Sequence, residues 1–259
     1  MDQVISVDNL VKRYKGAKRD AVAGVSFDVK AGEFFAFLGP NGAGKTTAIS
    51  ILTTTLNKTS GSVKIAGFDI DREEKQVRRN IGVIFQNPSL DLVLSGEENI
   101  RVHVALYGLY PFRFSFRMMP PLYRERVSEL AKVVGLGDVL FEPVKSYSGG
   151  MKRKLEIIRS LMHNPKILFL DEPTSGLDPI SRKDLWRYLH EVRKKESVTV
   201  FLTTHYLDEA EGADRVVIIN NGKIILEGTP AELKAGGHDT LEQAYIEILK
   251  AQEDGNAGA

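Results

Sequence analysis

Residues 33–52, "EFFAFLGPNGAGKTTAISIL", restrict the fold more than any other stretch of this chain. The apolar run from Phe34 to Leu38 has the continuous hydrophobicity of a strand buried on both faces. Three glycines follow, then a lysine, two threonines and a helix-forming run. A buried strand that passes through a glycine loop into a helix is half of a parallel βαβ unit, so an α/β class is expected. The loop fits the pattern G-x-x-x-x-G-K-[ST], in which glycines let backbone N–H groups converge on one point at a helix N-terminus. Gly39, Pro40, Asn41, Gly42, Ala43, Gly44, Lys45, Thr46 and Thr47 are therefore the candidate phosphate contacts. In such a loop the lysine reaches the β and γ phosphates and the first threonine hydroxyl ligates magnesium, roles that fall to Lys45 and Thr46. A plain strand-to-helix turn is the alternative, and the intact eight-residue match weighs against it.

The rest of the chain extends the same architecture. "IGVIF" (81–85), "KILFL" (166–170), "VTVFLTT" (198–204) and "RVVIIN" (215–220) are further short apolar runs separated by helical patterns. In "PISRKDLWRYLHEVRKKE" (179–196), Leu185, Leu189 and Val192 recur at helical spacing. "VISVDNLVKRY", "AVAGVSFDVKAGE" and "GSVKIAG" alternate instead, which predicts an antiparallel layer. Asn221-Gly222 signals a type I′ hairpin. Thr229, Pro230 and Glu232 form a capping box with proline at the first helical position. "DTLEQAYIEILK" reads as an amphipathic helix capped by Asp239, followed by a frayed tail.

Composition narrows the function classes. Thirty-five basic and 34 acidic residues leave a net charge of +1, so no basic field calls for a nucleic-acid partner. The absence of cysteine removes thiolate chemistry and fits a cytosolic protein. No run of about 18 apolar residues is present for a membrane span, and "MDQVISVDNL" lacks the layout of a secretory leader. His103, His163, His190 and His238 show no metal-ligand spacing and read as incidental.

A second candidate site lies at "KILFLDEP" (166–173), an apolar strand ending in two carboxylates. Parallel sheets collect ligands at the carboxyl ends of their strands, so Asp171 is placed to hold magnesium and Glu172 to orient or deprotonate an attacking water. Capping of the next segment is the structural alternative for this pair.

With both sites in view, "YSGGMKRKLEIIRSLMHNPKILFLDEPTSGLD" closely resembles the ATP-binding subunit of ABC transporters, and the likeness runs over about residues 4–235. The resemblance implies a P-loop nucleoside triphosphate hydrolase fold with a mainly parallel sheet core, an antiparallel β layer and an inserted helical lobe. It implies one domain over 1–235, with core 1–90 and 161–235 and lobe 91–160, then a C-terminal helix and tail over 236–259. It further implies ATP and Mg2+ as cofactors. Ser148, Gly149 and Gly150 match the signature loop, which serves ATP held by a second subunit, and Asp178 closes the D-loop "SGLD". Gln86 matches the Q-loop residue that contacts magnesium or water, His205 the switch histidine at the γ phosphate, and Tyr14 the aromatic that stacks on adenine. An ordinary polar residue, a structural histidine and an edge-strand tyrosine are the respective alternatives.

Tyr147 and Met151 replace the signature's usual leucine and glutamine, while the serine and both glycines remain. The motifs look most like the drug- and antibiotic-resistance exporter branch, which implies a homodimer or heterodimer of ATPase subunits. A separate integral membrane permease, a location at the cytoplasmic face of the membrane, and a drug, lipid or related hydrophobic cargo follow from the same resemblance. A soluble ATPase of this superfamily acting on ribosomes or DNA is the alternative. The least family-like part is "YGLYPFRFSFRMMPP" (107–121), where an extended segment would set aromatics against cations. Its rings either complete the core of the helical lobe or stay exposed for docking on a membrane subunit or on lipid.

Overall fold

In the computed structural model, which describes residues 3–235 and 239–247, the chain forms two compact units. One ends at Val77 and resumes at Thr199; the other runs from Arg78 to Val198 and holds two parallel strands and the helix 179–196 along with the helical segment.

In the first unit, β1 (Gln3–Lys12), β2 (Val22–Lys30), β4 (Ser60–Ile65) and β5 (Phe68–Asp69) form an antiparallel sheet in the order β2-β1-β4-β5. Alternation puts Ile5 and Val7 of β1 and Val25, Phe27 and Val29 of β2 on the buried side, and Leu10 is buried too after an irregularity at Asn9 (φ 47°) that breaks the period of two. β3 (Phe34–Leu38), buried at every position, pairs in parallel with β8 (Thr199–Thr204) and β9 (Arg215–Asn220). Phe27 of the antiparallel sheet stacks on Phe35 of β3 at 5.5 Å, and Phe35 meets Phe201 of β8 at 5.2 Å. This aromatic layer joins the two sheets of the unit, each ring pair contributing about 0.5–1.5 kcal/mol beyond its area burial. β9 turns back into β10 (Lys223–Gly228) through Asn221 and Gly222, both at positive φ (47° and 77°) as the sequence pattern requires.

Helix α1 (Lys45–Leu52) buries Ala48, Ile49, Ile51 and Leu52. The expected capping box opens α7 (Pro230–Lys234), with Thr229 and Glu232 exchanging both bonds. Residues 241–247 are helical, but the cap is Thr240, whose hydroxyl accepts from Gln243 N at 3.3 Å, and not Asp239. Asp239 N instead donates to Gln243 Oε1 at 2.9 Å. The expected frayed tail and His238 lie outside the described residues.

In the second unit, β6 (Ile81–Ile84) and β7 (Ile167–Asp171) pair in parallel. Between them in sequence come α3 (Gly96–Leu106), α4 (Pro121–Val134) and α5 (Gly149–Leu161), and α6 (Pro179–Glu196) follows. The predicted stripe of α6 is buried and includes Tyr188 beside Leu185, Leu189 and Val192. Full burial of such side chains is worth roughly 1.5–3 kcal/mol each. Arg126 of α4 reaches Glu196 at the end of α6 at 2.7 Å.

The 107–121 segment departs from a simple alternating strand. Phe112 and Phe114 share one side, their rings 5.9 Å apart, but both are exposed, so neither completes the core. Phe116 starts a 3-10 turn (Phe116–Met118) and leans on Phe141 and Tyr123. Only Met119 in this stretch is fully buried, because the turn rotates it inward.

The histidines read as incidental include a structural pair. Tyr107 lies 4.4 Å from the His103 ring and 5.3 Å from His163, whose Nε2 pairs with Ile81 O at 2.8 Å. Burial pushes the His103 imidazole down to about 3, helped by the charges of Arg159 and His163. Its folded pKa lies below the unfolded value, so its contribution is fully present above about pH 6.5 and is lost as pH falls toward 3. The expected slope is about 1.4 kcal/mol per pH unit inside that window. Urea titrations at pH 7 and pH 5 should show the loss, and His103→Phe should reduce it; an unchanged difference would discount the assignment.

Candidate active site

The phosphate loop stands in the first unit. β3 delivers Gly39 at its carboxyl end, and the loop closes on Gly44, the N-cap of α1, at φ 110°. A Cβ on Gly39 would collide with the Ile219 carbonyl oxygen, and one on Gly44 with that of Ala21. Gly42 (φ 81°) faces open space instead, so the loop is tight at its base and open at its rim. Lys45 is 4% exposed and its Nζ donates to Gly39 O at 2.7 Å and Pro40 O at 3.2 Å, which holds the ammonium inside the loop. Ala43 is buried, while Pro40, Asn41 and Thr46 are exposed.

The β9–β10 hairpin supports this loop from below. Gly222 N donates to Ala43 O at 3.0 Å, and Gly222 O accepts from Ala23 N at 2.8 Å. Tyr14 Oη lies 3.2 Å from Thr47 Oγ1, which sets the half-exposed ring beside the first turn of α1. His205 comes one residue after Thr204, the β8 partner of Leu38, so strand register alone brings it next to Gly39. The buried Thr204 hydroxyl donates to Glu209 at 2.6 Å and accepts from Tyr206 N at 3.0 Å, shaping the turn that carries His205. A cleft of about 260 Å³ is lined by Leu38, Gly39, Pro40, Asn41, His205, Leu207 and Tyr245.

The second unit carries the carboxylates. β7 ends at Asp171, 2% exposed, and Glu172 follows at 8% exposed with φ 46°, a left-handed backbone uncommon for glutamate. Gln86 Nε2 donates to Glu172 Oε2 at 3.3 Å, so the two residues predicted for water handling meet. One face of α5 holds the Gln86 loop in place. Buried Arg153 donates to Phe85 O at 2.6 Å, to Gln86 O and to Pro173 O at 2.9 Å, and pairs with Glu156 at 2.8 Å. Glu156 accepts from Ser89 N at 3.0 Å, and Arg159 grips Ser89 through its carbonyl and hydroxyl, each at 2.6 Å.

Ser148 caps α5, its Oγ accepting from Met151 N at 3.2 Å. Gly149 and Gly150 admit close approach: added Cβ atoms would stand 3.2 Å from Leu177 and 3.0 Å from Ser181. Tyr147 is buried and donates to Val139 O at 2.6 Å, a polar anchor in place of the usual leucine. Asp178 caps α6, accepting from Ser181 Oγ at 2.6 Å and from the amides of Ile180 and Ser181. These bonds, led by the Ser181 hydroxyl, hold its carboxyl below the ordinary range. Within one chain Asp178 thus serves the fold.

Sequence reasoning missed Arg153, Glu156, Arg159, the support that the predicted hairpin gives the loop, and Tyr245 in the cleft. Arg153, Glu156 and Arg159, each three residues from the next and so on one helical face, were the only hint of the α5 clamp.

A buried parallel strand opening into a glycine loop and helix, with a strand-end carboxylate pair, defines a P-loop nucleoside triphosphate hydrolase. The ABC transporter family pattern matches residues 22–175, and the chain belongs to that family. It is an ABC-type ATPase. It is 41% identical to the daunorubicin/doxorubicin resistance ATP-binding protein DrrA of Streptomyces peucetius, over 98% of this chain and 76% of that one. A probable multidrug ABC transporter ATP-binding protein, YbhF of Escherichia coli, is 36% identical over 96% of this chain and 42% of its own length. Among solved structures, an ATP-binding subunit of an ABC transporter superposes with TM-score 0.79 at 28% identity, over 95% of this chain and 99% of that one. An ATP-binding cassette solved as a dimer in a post-hydrolysis state with ADP and Pi superposes with TM-score 0.74 at 27% identity, over 87% and 98%.

Proposed function

We propose that the chain hydrolyses MgATP as one half of a nucleotide-sandwiching dimer. Through a separate membrane subunit it powers export of a drug, lipid or related hydrophobic compound. The bond from Gln86 to buried Glu172 carries the catalytic part of this reading. Similarity to a daunorubicin/doxorubicin resistance protein supports the cargo class.

The loop amides and Lys45 hold the phosphates, and Tyr14 offers its exposed ring face to the base. Thr46, Gln86 and Asp171 supply the hard oxygen ligands that Mg2+ takes. Held by those residues, the ion would supply positive charge against the phosphates. Glu172 accepts or orients the proton of the attacking water, Gln86 keeps that carboxylate aimed, and His205 bonds the γ phosphate. Ser148, Gly149 and Gly150 act on the nucleotide of the partner copy, as does the D-loop ending at Asp178. The dimer, homomeric or heteromeric, sits at the cytoplasmic face of the membrane on its permease.

Complementation tests the arrangement. Lys45→Ala and Ser148→Arg chains should each be inactive, and an equal mixture should recover turnover, because one mixed dimer contains one intact site. Full-rate hydrolysis by isolated monomers, independent of protein concentration, would remove Ser148 from its role in trans.

A further inference from the structure

Residues 99–124 contain four arginines and no carboxylate, in a chain whose net charge is only +1. The same stretch carries eight of the fourteen exposed large hydrophobic side chains among the described residues, Phe114 the most open at 85%. Such clustering is unusual for an idle surface. The base of the segment is firmly built. Buried Arg101, paired with Glu97 at 3.2 Å, donates to Arg113 O at 2.6 Å and lies under the Phe112 ring at 5.7 Å. Tyr123, also buried, donates to Glu97 and meets the rings of Tyr110 and Phe116. The anchored loop therefore presents Phe112, Phe114 and Met118 outward. Arg113 and Arg117 are exposed beside them and form no ion pair among the described residues.

We propose that this loop docks directly on an anionic lipid bilayer, seating Phe112, Phe114 and Met118 at the interface and Arg113 and Arg117 on headgroup phosphates. Phe114, edge-on to the Phe112 ring yet 85% exposed, stands open to solvent, as suits entry into a fluid interface better than a protein groove. Aromatic and arginine side chains are the pair favoured at that depth. Arg101 is taken up by Glu97, but the exposed Arg113 and Arg117 complement an anionic surface, each adding about fivefold to binding. The contact is separate from the exporter reading and needs no membrane subunit.

Co-sedimentation of the full chain with phosphatidylglycerol-containing vesicles tests the proposal, with pure phosphatidylcholine vesicles as the control. Binding should be at least about tenfold stronger to the anionic vesicles and should weaken as salt rises. Phe112→Ser with Phe114→Ser, and separately Arg113→Glu with Arg117→Glu, should each reduce binding by about tenfold or more, with melting temperature and basal ATPase unchanged. If the serine pair lowers the melting temperature, the arginine pair, on exposed side chains, decides alone. Absence of vesicle binding, equal binding by the arginine pair, or retention only on vesicles carrying the membrane subunit overturns the proposal. ATP hydrolysis by a chain that ignores vesicles would sink this inference and leave the exporter reading intact.

Discussion

Glu172→Gln is expected to lower steady-state ATP turnover by about 10²–10⁴-fold while nucleotide affinity changes less than about threefold. Glutamine keeps the size of the side chain, so the left-handed backbone at this position bears the same load. What disappears is the carboxylate that Gln86 approaches at 3.3 Å and that can take a proton from water. The variant leaves Lys45 and the loop residues in place to hold the phosphates. Phosphate release measured beside equilibrium nucleotide binding separates the two effects. Turnover near the parent value would remove Glu172 from its role.

Arg153→Met should cost about 3–5 kcal/mol of stability, because it leaves Glu156, 2% exposed, without its closest cation. Arg159, 3.9 Å away, softens the loss toward the lower end. The same change frees the carbonyls of Phe85, Gln86 and Pro173, so turnover should fall even at temperatures where the variant is folded. Adding Glu156→Leu should return much of the stability, since an apolar pair replaces a buried ion pair at little cost. It should not return the turnover, because the carbonyls of Phe85, Gln86 and Pro173 still lack their donor and Arg159 holds the loop only further on, at Ser89. Urea melts and ATPase assays on the single and double variants check both statements. Joint recovery would make Arg153 a purely structural residue.

Much of the site was legible because its signals are local. Strand runs appear as unbroken hydrophobicity, the α6 stripe as 3.6-residue spacing, and the phosphate loop as glycines between a strand and a helix. The Thr229–Glu232 capping box and the Asn221-Gly222 turn were equally readable, since each is settled by a few neighbouring residues. The Asp239 cap failed by one position because two adjacent residues offered competing caps, and Gln243 selected Thr240. Alternation in 107–121 could not tell which rings face solvent, because that depends on Tyr123 and Phe141 further along.

The sequence by itself determined the strands, the phosphate loop, the strand-end carboxylates and the signature cap, all written in short-range patterning and backbone preference. Only the tertiary structure decided that Arg153, Glu156 and Arg159 clamp a loop some 67–70 residues away. It also decided that Gly222 props the phosphate loop from about 180 residues downstream and that the Phe112–Phe114 pair stands in solvent. Such contacts join segments with no shared period, and their energy comes from desolvating charge and packing rings in a volume that exists only once distant elements have met.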